Sequence, residues 1–116
     1  MTESSKLTML ETMLFPDGFE SDTEKENIEA QLGVYLDLAS QTILNYKYEY
    51  SKDGIPEDLP SVYDMVQIMA VQNGFAQAGA EGQVLSIENG IHRHWKYSDM
   101  LEYIQNHVVP IAKVNG

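Results

Sequence analysis

Residues 56–81 read PEDLPSVYDMVQIMAVQNGFAQAGAE, and the fold turns on how this stretch is covered. Pro60 suits the first turn of a helix, where its missing N–H leaves no intrahelical bond unmade. Glu57 and Asp58 just before it favour the positive end of the helix dipole. Val62, Met65, Val66, Met69, Asn73 and Ala76 then recur at spacings of three and four, which is one face of a helix. Ile68, Val71, Phe75 and Gly79 make a second face, and a helix apolar on two sides must be covered on two sides. The spacing predicts that the Val62–Met65–Val66–Met69 face lies on the preceding helix. The Ile68–Val71–Phe75 face is then closed by a hairpin or by an adjacent subunit.

Working back, residues 7–15 predict a short helix with Leu7, Leu10, Met13 and Leu14 on one side, ended by the turn residues Pro16-Asp17-Gly18. Ser21 or Asp22 opens a long helix. Two capping-box patterns begin there, and Asp22, Glu24 and Glu26 fall in its first turn. Its stripe is Ile28, Leu32, Tyr35, Leu36, Ala39, Ile43 and Tyr46, with Val34, Leu38 and Leu44 outside it. Residues 46–50, YKYEY, alternate with period two and read as a short extended piece, followed by a turn at Asp53-Gly54.

Working forward, the glycines at 74, 79 and 82 weaken the end of the central helix, which stops near Ala80. VLSI and IHRHW flank Asn89-Gly90, a strong hairpin signal. A two-stranded hairpin over 84–95 is expected, too small to be stable unless it lies on helices or another subunit. Ser98-Asp99 caps a last helix over 100–108, Pro110 ends it, and the tail 109–116 is extended. The expected architecture is one domain, 1–116, mainly α. It is a small helical bundle of two long antiparallel helices, two short helices and a β-hairpin in the C-terminal third.

The chain has 116 residues, no cysteine and a net charge of −11. Thiol chemistry and disulfides are excluded. No apolar run approaches the roughly 20 residues of a membrane span, and MTESSKLTMLE, with no basic region before an apolar stretch, is not expected to act as a secretory signal. Residues 1–64 carry 14 acidic and 4 basic side chains, while 65–116 carry 4 and 3. So acidic a chain has no general grip on nucleic-acid phosphate or anionic lipid. Two helices with apolar residues on more than one face exceed what so short a chain can cover, which points to an obligate homo-oligomer.

The basic cluster His92, Arg93, His94 and Lys96 suits an acidic surface on a neighbour, with Val84 and Ile91 beside it. Trp95, the single tryptophan, fits either such an interface or its own helices. His92 and His94 share a side of a strand and with His107 or Asp99 would offer zinc ligands. Beside Leu85 and Ile87 they read instead as a polar interface, and no metal or cofactor is expected. Tyr46, Tyr48 and Tyr50 lack the surrounding cations a base-stacking platform needs. No motif joins Ser, His and Asp into a catalytic set, and an enzyme is not expected.

Four sequence words stand in a familiar order: ILNY (43–46), P-x-x-L-P (56–60), GAEG (79–82) and YSDM (97–100). Over residues 7–107 the chain resembles the head–tail connector, or adaptor, proteins of long-tailed bacteriophages, also described as phage DNA-packaging proteins. Members of that family have a serine- and glycine-rich loop where this chain has VLSIENGIHRHW. The resemblance implies a mainly helical structural subunit of the virion, made in the host cytoplasm. It implies a ring of about twelve copies on the portal protein, joining capsid to tail and contacting a further tail-side connector or tail terminator. DNA would pass through its channel without specific binding. On that reading Ile68, Val71, Phe75, Val84, Ile91, His92, Arg93, His94, Trp95, Lys96 and the tail residues Val109, Ile111 and Lys113 contact a subunit or the portal. Glu24, Glu26, Glu29 and Asp37 are candidates to face the channel, where negative charge keeps DNA from sticking. A small acidic helical protein that mimics DNA or blocks a basic partner is the alternative.

Overall fold

The computed structural model describes residues 1–80 and 95–112, with no side-chain detail for 76–80. Four α-helices follow in order: α1 (Glu3–Leu14), α2 (Asp22–Tyr48), α3 (Asp64–Ala80) and α4 (Tyr97–His107), with a 3-10 turn at Ser61–Tyr63 leading into α3. The mainly helical class is as expected. No strand occurs among the described residues, and the hairpin expected over 84–95 lies outside them except for Trp95, whose backbone is irregular.

The boundaries follow local chemistry. Thr2 caps α1, its hydroxyl accepting from the Ser5 N–H at 3.1 Å, so the helix starts four residues earlier than its apolar spacing suggests. Phe15-Pro16-Asp17-Gly18 turns the chain, with Gly18 at φ +81° and its N–H on Phe15 O at 2.9 Å. Ser21 caps α2 by accepting from the Glu24 N–H at 3.1 Å. α2 runs through Tyr48, so the extended piece expected at 46–50 is instead its last turn and the turn beyond. Alternation over five residues is too short a signal to stop an established helix that still gains a bond per residue. Gly54, at φ +82°, closes the reversal toward α3. α4 begins one residue before the expected Ser98-Asp99 cap, with no side-chain cap bond.

The core is built from all four helices: Leu10 and Phe15; Ile28, Leu32, Leu36, Ala39 and Ile43; Ile68, Ala70, Val71 and Phe75; Met100, Ile104 and Val108. This corrects the face assignment of α3. Ile68, Val71 and Phe75 are fully buried inside the chain, which leaves them no subunit contact; the other closure expected for them, by the hairpin, lies outside the described residues apart from Trp95. Val62 and Met65, expected on α2, are 76% and 48% exposed. The reason is polar. Asp64 and Gln67 sit on the inward face of α3, and each finds partners there. Asp64 takes the Met1 ammonium at 2.8 Å and Lys6 Nζ at 3.1 Å. Gln67 accepts from Lys6 Nζ at 2.6 Å and donates to Leu36 O at 2.7 Å. With those groups partnered, their hydrogen bonds and ion pairs offset the desolvation cost of turning the Ile68–Val71–Phe75 stripe inward.

α3 packs on α1, α2 and α4. The chain therefore closes a core by itself; Val34 and Leu38 lie outside it as expected, whereas Leu44 is buried and Val62 and Met65 are exposed against expectation.

Candidate functional site

The candidate functional features among the described residues are surfaces, a groove and two charged contacts.

Trp95 packs within its own subunit. Its indole stacks on Tyr35, centroids 4.4 Å apart and 8° from parallel, and Tyr35 meets Phe75 edge-on at 5.4 Å. The indole lies over Gly74 so closely that a Cβ there would sit 2.6 Å from Nε1. Gly74, which read as a weak point in the helix, is the notch that admits the ring. Nε1 is buried with no hydrogen-bond partner among the described residues. Lys96, half-buried, occupies the N-cap position of α4. Val84, Ile91, His92, Arg93, His94 and Lys113 lie outside the described residues.

In the tail, Val109 is exposed, while Ile111 is half-buried and tied back. Its N–H donates to Lys47 O at 2.9 Å, and Lys47 Nζ donates to Val109 O at 2.7 Å. The tail thus satisfies an end carbonyl of α2. Truncation after Val108 should cost about 1 kcal/mol, the usual worth of one or two exposed hydrogen bonds. Hydrogen exchange should show the last turn of α2 opening, with the core unchanged.

The four acidic candidates differ. Glu26 and Asp37 are exposed, and Asp37 lines a small polar pocket of about 260 Å³ with Glu3, Lys6, Asp58 and Gln67. Glu24 is half-buried behind the Ser21 cap, with Oε1 unpartnered among the described residues. Glu29 is half-buried and its carboxyl stands beside that of Glu11 of α1, whose Oε1 is buried and unpartnered among the described residues, so it faces α1 instead of standing open. Burial first, then the hydrogen bond and the charge of Glu29, push the Glu11 carboxyl above its usual range, and Lys25 offsets this only in part. A carboxyl raised in the folded state contributes stability while it holds its proton and loses it as pH rises through the raised value. Glu11→Gln supplies the donor without a proton. It should raise the melting temperature at about pH 7–8 and change little near about pH 4, where the raised Glu11 carboxyl already holds its proton.

A groove of about 560 Å³ opens between the C-terminal half of α2, Ile55 and α4. Leu38, Thr42, Tyr46, Ile55, Tyr97 and Leu101 line it, with Gln41, Asn45 and Glu49 at its polar side. The Thr42 hydroxyl donates to Leu38 O at 2.8 Å and lies 3.3 Å from the Tyr97 hydroxyl. Sequence reading missed this groove because its α4 wall lies 42 or more residues along the chain from the rest of its lining. Its one titratable acid, amides and hydroxyls suit contact more than catalysis.

His107 Nδ1 donates to Tyr103 O at 2.8 Å and its ring stacks on Tyr103 at 3.9 Å. Among the described residues no group of three His, Asp or Glu is placed to hold a metal ion, and no helix is long and apolar enough to cross a membrane.

Exposed apolar side chains are spread over the described residues, with Met1, Met13 and Tyr50 among them, and two pairs stand on helices or their approaches. On α2 they are Val34, 63% exposed, and Leu38, 38% exposed; on the approach to α3 and its first turn they are Val62 and Met65. No protein-family model matches the chain, and neither curated proteins nor solved structures contain a match.

Proposed function

We propose that this chain is a structural connector of a bacteriophage particle. It forms a ring on the portal protein, joins capsid to tail through a further tail-side connector or terminator, and leaves a passage for DNA. The role is mechanical and contains no chemical step. The observation that carries the reading is the ordered set of sequence words and where they stand in the fold. ILNY closes α2, P-x-x-L-P leads into α3, GAEG begins at the end of α3, and YSDM opens α4. Each marks a helix boundary, which is where a shared order of elements would leave its trace.

A second property agrees with it. The subunit completes its own core and still exposes large apolar side chains on two helices, as a building block does. Glu26 and Asp37, exposed on α2, remain the acidic residues best placed to line a passage for a polyanion. The test is electron microscopy of the purified chain with portal-bearing capsids. Added rings at the portal vertex support the reading. A chain that ignores portals, stays monomeric and binds a basic DNA-binding protein tightly overturns it in favour of an acidic binding protein.

A further inference from the structure

We propose that the groove between α2 and α4 binds a short extended segment of a partner protein, its alternate apolar side chains turned into the groove and a Lys or Arg set against Glu49. Such binding is independent of the connector reading and adds a partner to it.

Helix α2 presents two neighbouring rows to the groove, since residues four apart stand one above another. Leu38, Thr42 and Tyr46 form the first row, which faces Tyr97 and Leu101 of α4. Gln41, Asn45 and Glu49 form the second, and all three are exposed. Among the described residues no hydrogen bond or ion pair holds any of these three side chains. Their row matches a peptide backbone. Gln41 and Asn45 are separated by a rise of about 6 Å along the helix. In an extended chain the N–H and C=O groups on one edge recur every second residue, about 6.6–6.8 Å apart. A side-chain amide offers both donor and acceptor, so each amide can take the N–H and C=O of one residue and the two stay in step. A helical partner would leave the row unused, because its backbone groups are already bonded to one another.

Size makes the same choice. Between Leu38 and Glu49 the groove follows α2 for about 17 Å, the length of about five extended residues. Its volume of about 560 Å³ over that length leaves a mean section of about 33 Å². A strand takes up about 4.8 Å by about 10 Å between its neighbours in stacked sheets, and a helix is at least about 10 Å across. The groove seats the inner side of a strand and is too slight for a helix.

Charge then selects the segment. Glu49 is the one carboxylate lining the groove. Asp37 lies one turn above Gln41 in the same row, and Glu102 follows Leu101 in α4; both are exposed. Of the nearby cations, Lys47 is committed to Val109 O at 2.7 Å, and Lys52 is offset by Asp53 beside it. The rim is therefore acidic, on a chain of net charge −11, and draws a basic segment while repelling an acidic one. Glu49 stands one turn beyond Asn45, so the cation falls two residues past the one that Asn45 holds. The segment reads apolar, any, apolar, any, then Lys or Arg.

The test selects from a displayed library of random short peptides on the immobilised full chain. Apolar residues two apart, with Lys or Arg two positions further, should be enriched. A synthetic peptide of the selected sequence is then the probe in fluorescence anisotropy. Glu49→Gln should weaken it about threefold to fivefold, the worth of an exposed ion pair. Gln41→Ala with Asn45→Ala should weaken it about tenfold or more, through several lost hydrogen bonds. All three positions are exposed, so melting temperatures should hold. N-methylation of the peptide at every second residue separates backbone from side-chain recognition: one register should abolish binding and the other should leave it. Apolar residues enriched at spacings of three and four would overturn the extended form. Affinity unchanged in the double amide variant, or equal loss in both methylation registers, would overturn the backbone pairing. A library with nothing enriched, or enriched in acidic peptides, would overturn the site. None of these results bears on ring formation at a portal, which electron microscopy tests separately.

Discussion

Trp95→Ala should lower the stability of the subunit by about 3 kcal/mol, the low end for removing a large aromatic from a packed site, because the ring is only half-buried. The loss has three parts: the stack on Tyr35, the tilted contact with Tyr97 at 6.0 Å, and the void left over Gly74. Gly74 supplies the sharper half of the result. In an otherwise unchanged chain, Gly74→Ala places a methyl 2.6–3.1 Å from three atoms of the indole. The ring cannot withdraw without giving up its stack on Tyr35, so the variant should be destabilised by about 1–3 kcal/mol, as overpacked sites are. With Trp95→Ala already present the clash is gone, and Ala then brings only its helix preference over Gly, about 1 kcal/mol. The same substitution should therefore change sign with its background. Chemical denaturation of the four proteins in this cycle measures it. Additive effects would show that the indole does not rest on Gly74. If assembly fell in Trp95→Ala while stability held, Trp95 would be an interface residue after all.

Much of the helical layout is legible in the sequence because the signals are local. Ser21, Pro16-Asp17-Gly18, Asp53-Gly54 and Pro60 each act within a few residues, and the structure keeps all four boundaries to within a few positions. What sequence could not give is which way a helix faces when it is apolar on both sides. For α3 that choice is made by Asp64 and Gln67, which look like reasons for a face to stay in water. Their partners are Lys6, 58 and 61 residues away in the chain, and Leu36 O, 31 residues away. Only the assembled fold brings those donors and acceptors to them. Trp95 and Gly74 are hidden in the same manner. A helical glycine reads as a defect until the ring that needs the space is placed over it.

The consequence for the candidate interface is specific. Ile68, Val71 and Phe75 cannot serve a neighbour, since removing them from the core would open the subunit. What supports an assembling protein has moved from hidden core residues to Val34, Leu38, Val62 and Met65, and Glu29 has left the open acidic surface for a contact with Glu11. A contact made through those exposed side chains would be separable from folding, which an interface made of core residues would not allow.

Asp64 carries the second large expected effect. It is a buried carboxylate at the junction of α1 and α3, held by Lys6 and the Met1 ammonium, with Lys6 passing the contact on to Gln67 and so to α2. Asp64→Ala should cost about 3 kcal/mol, since deleting one member of a buried pair leaves the other charge without compensation. Asp64→Asn should cost less at neutral pH and is the more informative variant. Burial alone would favour the protonated acid, but the hydrogen bonds from the Met1 ammonium and Lys6, with their charges, outweigh it and hold the carboxyl below its usual range. A carboxyl lowered in the folded state contributes stability above its unfolded pKa, and that contribution is lost as pH falls through the lower folded value. The wild type should therefore lose stability on the acid side, below the ordinary aspartate pKa of about 3.9, and Asp64→Asn should flatten that limb. Glu11 acts in the opposite direction, losing stability as pH rises, so the two sites bound the pH range of greatest stability from its two sides. Denaturation midpoints of wild type, Asp64→Asn and Glu11→Gln across pH separate them. An acid limb unchanged in Asp64→Asn would show that the clasp joining α1, α2 and α3 draws its strength from elsewhere.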